Sequence, residues 1–178
     1  MRTLIAVSIG ALVLAAPGFA GYGASLDITA LIAKTTKMVR SKPQFKKAVL
    51  LEADGSPKKG KVKTASGVTR WRIVYQNQTT KGSKYASAFV KLVNGHPGAV
   101  VGVKEPFLED RNITVIPKMT LSRAITKLRN AGHKDAFAGV TLRYPLGPGF
   151  HEPLYIFGFG SGEYWSVGTR TGKVKPIS

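Results

Sequence analysis

The stretch Arg70-Trp71-Arg72-Ile73-Val74-Tyr75-Gln76 decides how this chain is read. Trp71, Ile73 and Tyr75 fall on one side of an extended backbone, and Arg70, Arg72 and Gln76 on the other. Successive strand side chains point to opposite faces, so this period of two predicts a half-buried strand with one wet, basic face.

Toward the N-terminus, residues 54–68 are rich in Gly, Ser, Pro and Lys and predict an exposed loop. Residues 47–53 predict a strand. Residues 27–41 predict a helix, because Ile28, Leu31, Ile32, Met38 and Val39 share one helical face. Ser25 or Asp27 can cap its start, and Pro43 stops it. Lys34, Lys37 and Arg40 recur every third residue as a basic flank. Toward the C-terminus, Tyr85–Val93 predicts a strand, Asn94-Gly95-His96-Pro97-Gly98 a turn and Ala99–Val103 a returning strand. After a connector containing Pro106 and Pro117, Thr120 can cap a helix whose Leu121, Ala124, Ile125 and Leu128 share a face, with Gly132 ending it. Strands are predicted over 137–144, 154–160, 163–168 and 173–177, joined by a Gly/Pro loop at 145–153 and by turns at Ser161-Gly162 and Thr171-Gly172.

The order helix, strand, strand, strand is thus read twice. The expectation is an α+β fold of two helix-plus-antiparallel-strand units (α-β-β-β repeated), with the helices packed on antiparallel sheet. The first unit spans 21–105, a connector 106–118 and the second unit 119–178.

Residues 2–20 read as a secretory signal peptide. Arg2 precedes the uncharged run Leu4–Ala16, and Gly18 and Ala20 offer small residues for cleavage after Ala20. An uncleaved N-terminal anchor is the alternative, but Pro17 interrupts a run shorter than the ~20 residues a span needs. The remaining 158 residues suit one ordinary domain, expected to be secreted or periplasmic, with no second run long enough to cross a membrane. The chain has no cysteine, which excludes disulfides, thiol catalysis and thiolate metal sites.

The full chain carries 27 Lys plus Arg against 9 Asp plus Glu, a formal charge of +18. Between residues 34 and 84 there are 14 basic residues and only Glu52 and Asp54 on the acidic side. Such a field favours an acidic protein or polyanion as partner, nucleic acid included, with strong salt sensitivity. It equally fits a merely soluble surface. Arg70 and Arg72, opposite Trp71, are candidate ligand contacts. Lys58, Lys59, Lys61 and Lys63 form a basic loop suited to nonspecific attraction, and Lys34, Lys37 and Arg40 complete the candidate binding set.

Catalytic patterns are sparse. His96, His133 and His151 show no metal-ligand spacing, and His151-Glu152 is followed by Pro153 with no second histidine at 155. There is no Gly-x-Ser-x-Gly elbow. Glu105, Glu109 and Asp110 form the one acidic cluster and read as a solvated connector. Gly158, Gly160 and Gly162 alternate within a strand and turn, where a phosphate loop is not found. The strand aromatics Trp71, Tyr75, Tyr155, Phe157, Phe159, Tyr164 and Trp165 read as core and cross-strand packing, with base or sugar stacking as the alternative. No cofactor is expected. Asn77-Gln78-Thr79 and Asn112-Ile113-Thr114 match the N-glycosylation pattern.

The second half resembles a PepSY-type domain. The resemblance rests on Thr171-Gly172-Lys173-Val174, which closes the final hairpin, and on Gly162-Glu163-Tyr164-Trp165 before it. That family's usual Asp before the closing turn is absent, with Gly168 and Thr169 in its place. Trp71–Tyr75 and Phe89–Gly95 carry a weaker match in the first half. A tandem of such units is similar in shape to secreted β-lactamase-inhibitor proteins. The resemblance implies a non-catalytic secreted module that binds or inhibits another protein, often a hydrolase, and no individual binding residue carries over. A secreted basic protein that binds polyanions or nucleic acid is the alternative, and an unrecognised hydrolase using His151 and Glu152 a lesser one.

Overall fold

The computed structural model describes residues 27–78, 83–160 and 162–177. The proposed signal peptide lies outside them, as does Thr79 of the first glycosylation pattern. Among the described residues, no helix is long and apolar enough to cross a membrane.

Among the described residues, two α-helices and eight strands form the framework: α1 (Ile28–Arg40), β1 (Val49–Ser56), β2 (Arg70–Gln76), β3 (Ser87–Val93), β4 (His96–Val103), α2 (Leu121–Asn130), β5 (Gly139–Arg143), β6 (Leu154–Gly158), β7 (Tyr164–Gly168) and β8 (Val174–Ile177). All eight strands join one antiparallel sheet in the order β4-β3-β2-β1-β5-β6-β7-β8.

This overturns the expected α+β arrangement of two α-β-β-β units. The chain is mostly a single eight-stranded sheet with two helices; four strands follow each helix, matching the segments predicted one by one and exceeding by one the α-β-β-β order drawn from them. The cause is β1. It pairs with β2 along one edge and with β5 along the other, where Glu52, Ala53, Asp54 and Gly55 face Arg143, Leu142, Thr141 and Val140. Alternation reveals which face a strand buries but not which strand lies beside it. β1 also runs to Ser56, beyond the predicted end at Ala53. β4 begins at His96, because Asn94 and Gly95 both adopt positive φ (50° and 77°) and make a two-residue hairpin turn.

Asp27 caps α1 by accepting from the Thr29 N–H, and Thr120 caps α2 by accepting from the Arg123 N–H. Both helices contribute to one core with the sheet face that carries Trp71, Ile73, Tyr75, Val90, Leu142, Tyr155 and Phe157. The buried Tyr75 hydroxyl lies 2.6 Å from Thr35 Oγ1 on α1, and Tyr155 donates to the Met119 carbonyl (2.9 Å) just before α2. The strand aromatics Trp71, Tyr75, Tyr155, Phe157 and Phe159 are therefore core, while Tyr164 is exposed. Among the described residues, the opposite sheet face carries no helix.

Gly55 sits where the Trp71 ring crosses β1. A Cβ there would lie 2.6 Å from Trp71 Cη2 and 2.7 Å from Val68 Cγ1. Gly55→Ala is expected to destabilise the fold by about 1–3 kcal/mol through overpacking, measured by urea unfolding. Gly139→Ala on the neighbouring strand, whose Cβ would meet only the Gly55 carbonyl oxygen at 3.5 Å, is expected to change stability far less. Equal losses at both positions would show that Trp71 does not depend on that gap.

Candidate functional site

The helix-free face is organised as rows of side chains that run across the strands. One row reads Lys91, Arg72, Asp54, Thr141, Ile156, Ser166, Lys175. With neighbouring strands about 4.8 Å apart, it spans about 29 Å. The adjacent row reads Val101, Phe89, Val74, Glu52, Arg143, Leu154, Gly168. Toward the other end lie Ser56, Arg70, Val93 and His96.

The centre of this face is acidic, although the protein is not. Glu52, Asp54, Glu109 and Asp110, four of the chain's nine acidic residues, gather around Arg72 and Arg143. Arg72 donates through Nε and Nη2 to Asp54 (2.9 and 2.7 Å) and through Nη2 to Glu52 (2.9 Å). Thr141 donates to the other Asp54 oxygen at 3.0 Å. Arg143 holds Asp110 at 2.8 Å and the exposed Glu109 at 3.6 Å.

Asp110 arrives from the connector, and its side chain is almost wholly enclosed. The Arg111 N–H donates to the Tyr144 carbonyl and the Ile113 N–H to the Leu50 carbonyl. Phe107 lies against the Arg72 guanidinium, 5.9 Å from ring centre to Cζ. The predicted solvated connector is thus pinned to the sheet. Val74 and Leu154 are buried although they do not belong to the helix-side core.

Enclosure sets the electrostatics. Burial pushes the Glu52 carboxyl up to about 7, with the neighbouring Asp54 adding to the rise and Arg72 opposing it. Burial also raises Asp110, opposed by its hydrogen bond and ion pair with Arg143 and by a hydrogen bond with Glu52.

The sequence-predicted binding residues do not form one patch. Arg70 is exposed on the helix-free face, and Arg72 is engaged by two carboxylates there. Lys34, Lys37 and Arg40 are exposed on α1, which packs on the opposite side of the sheet, and Arg40 Nε donates to the Ala48 carbonyl. Lys58, Lys59, Lys61 and Lys63 are exposed along the β1–β2 connection. That connection is anchored by reciprocal backbone bonds between Val62 and Phe137, both 2.9 Å. The sequence reading missed Lys91 and Lys175 as members of the face. Lys91, between the apolar Val90 and Leu92, could have been found from the same alternation that placed Arg72.

Other candidates have structural occupations. Glu152 accepts from the Arg170 and Thr171 N–H groups and from the Thr171 hydroxyl, which fastens the 145–153 loop to the β7–β8 turn. Although burial raises its carboxyl, these bonds outweigh that and hold it below the usual range. The Arg170 guanidinium donates to the His151 carbonyl. Asn77 is buried, and its amide nitrogen donates to the Gln44 and Tyr85 carbonyls and to Ser83 Oγ, bonds that a glycan on that nitrogen would break. Among the described residues, no group of three or more His, Asp or Glu is arranged to hold a metal ion.

No protein-family model, no curated protein and no solved structure matches this chain.

The Glu52 environment gives a pH signature. In the unfolded chain this carboxyl titrates near 4.5, and in the folded chain at about 7. Between those values the folded state keeps a proton that the unfolded state has released, so this group's contribution makes stability fall as pH rises from 4.5 to 7. Glu52→Gln, neutral throughout, is expected to flatten that part of the profile and to be more stable than the parent relative to their difference at pH 4. Urea midpoints at pH 4 and pH 8 measure this. An unchanged slope in the variant would assign the dependence to other groups.

Proposed function

We propose that this chain is a non-catalytic binding module, secreted after cleavage near Ala20, that docks an acidic partner protein against the helix-free face of its sheet. One observation carries this reading. Across that face, exposed Val93, Val101 and Tyr164 stand among the basic side chains of Arg70, Lys91 and Lys175. Exposed apolar side chains beside free cations, on either side of a centre whose charges are paired with one another, suit an interface in which the apolar contacts exclude water and the cations steer the partner. A face about 29 Å wide also accommodates an interface of standard size, about 800 Å² on each partner.

The PepSY-type resemblance supports the same reading and implies a partner protein that is bound or inhibited, often a hydrolase. Glu52 and Asp54 already engage the Arg72 guanidinium. The attraction then comes from the flanking cations Arg70, Lys91 and Lys175.

A second reading, a polyanion binder, is favoured by the placement of Lys34, Lys37, Arg40, Lys58, Lys59, Lys61 and Lys63 away from this face. A hydrolase built on His151 and Glu152 has less support, because the Glu152 carboxylate is occupied by the β7–β8 turn.

Affinity capture from the native secretome on immobilised parent and on Lys91→Glu/Lys175→Glu separates the first two readings. A single acidic protein retained at defined stoichiometry by the parent and lost by the variant is the expected result. Retention on heparin that falls steeply with salt, and to the same extent for both proteins, would assign the basic surface to polyanions instead.

A further inference from the structure

A cavity of about 550 Å³ opens beside the second half of the sheet, and none of Glu52, Asp54, Arg72, Asp110 and Arg143 lines it. Its wall is built from four segments: connector residues 112–119, the first turn of α2, the 144–153 segment after β5 and the β7–β8 turn. Such a volume falls within the range of about 300–1,000 Å³ typical of small-molecule sites.

The wall is fixed before any ligand arrives. The Arg111 N–H donates to the Tyr144 carbonyl (2.8 Å) behind the connector. Thr169 donates to the Pro153 carbonyl through both its N–H (3.0 Å) and its hydroxyl (2.8 Å), which ties the turn to the loop. Tyr155 donates to the Met119 carbonyl and secures the approach to α2. A preformed cleft loses little entropy on binding.

Its chemistry is one-sided. Lys118, Arg123 and Arg170 line it, and no Asp or Glu does. Between these cations the lining combines apolar Ile116, Pro117 and Pro153 with polar Asn112, Thr114, His151 and Thr169. Val115, also in the lining, is 78 % exposed. A bare valine, continuous with Ile116 and Pro117 and beside a cationic cleft, is covered if a ligand carries an apolar body and a negative head. We infer that this cavity binds a small amphiphilic carboxylate: an aliphatic or aromatic body against Val115, Ile116 and Pro117, with its carboxylate held by Arg123 and Arg170. Charge-assisted hydrogen bonds from guanidinium to carboxylate supply the orientation, and the apolar wall supplies the selection against simple anions.

Octanoate is the probe, with acetate and octylamine as controls lacking the tail and the negative head. In amide NMR titrations of the purified protein, octanoate is expected to give saturable shifts concentrated at residues 112–119, 123 and 169–170. Acetate and octylamine are expected to give no saturable shift there. Arg123→Gln removes one cation whose guanidinium makes no hydrogen bond among the described residues, and it is expected to weaken octanoate about tenfold, the loss of one charge-assisted contact. Val115→Glu, at an exposed position whose replacement leaves the core untouched, sets a hydrated carboxylate against the ligand's apolar body and is expected to weaken binding at least as much. Octanoate shifts that never saturate, or that spread over the lysines of α1 and the β1–β2 connection, would overturn the proposal. So would parental affinity in both variants, or octylamine binding as well as octanoate.

Discussion

Everything in this structure hangs on the antiparallel pairing of β1 with β5. Those four register pairs turn two runs of consecutive strands into one sheet, and they make β1 an interior strand with both edges satisfied. Without them each run would end in an open edge, a row of unpaired N–H and C=O groups that invites misassociation. The same pairing brings Arg143 to Glu52 and Thr141 to Asp54. The charged cluster at the centre of the helix-free face is therefore a direct consequence of strand register. Gly55 belongs to the same constraint, since only a residue without a side chain lets Trp71 lie across β1 while β5 closes against it.

The acidic centre of a strongly basic protein has a physical logic. Arg72 and Arg143 lie close together on adjoining rows of one face, and in partial enclosure two unpaired guanidinium groups would be costly. Glu52, Asp54 and Asp110 supply the compensation, and Asp110 does so from the connector, so the ion pair also fixes where the connector crosses the sheet. With the central charges paired with one another, the attraction of this face for an anionic partner resides in its flanks, at Arg70, Lys91 and Lys175. Net charge alone would have placed the binding power anywhere on the surface. Register restricts it.

The two proposed sites divide the labour of recognition in different ways. The helix-free face is broad and suits a protein, where a few apolar anchors and peripheral charges set the specificity. The cavity beside the second half of the sheet is narrow and suits a small anion, where a preformed wall does the selecting. Both depend on segments that look like simple links in the sequence: the connector covers part of the face, and with the 145–153 loop it walls the cavity.

The sequence by itself determined the local elements. Alternation placed Trp71, Ile73 and Tyr75 on the buried face, the helical period placed Leu121, Ala124, Ile125 and Leu128 against the sheet, and Asp27, Thr120 and Gly132 marked where helices begin and end. These signals are legible because each depends on residues within one or two turns of chain. Only the tertiary structure decided that β1 would meet β5, that Arg72 would be shared by Glu52 and Asp54, and that the connector would bury Asp110. Those outcomes join residues 18 to 91 positions apart. A strand's own pattern states which face is wet; hydrogen bonding along its edges is made by the backbone, which is the same in every strand, so the choice of neighbour is settled only when the whole sheet assembles around one core.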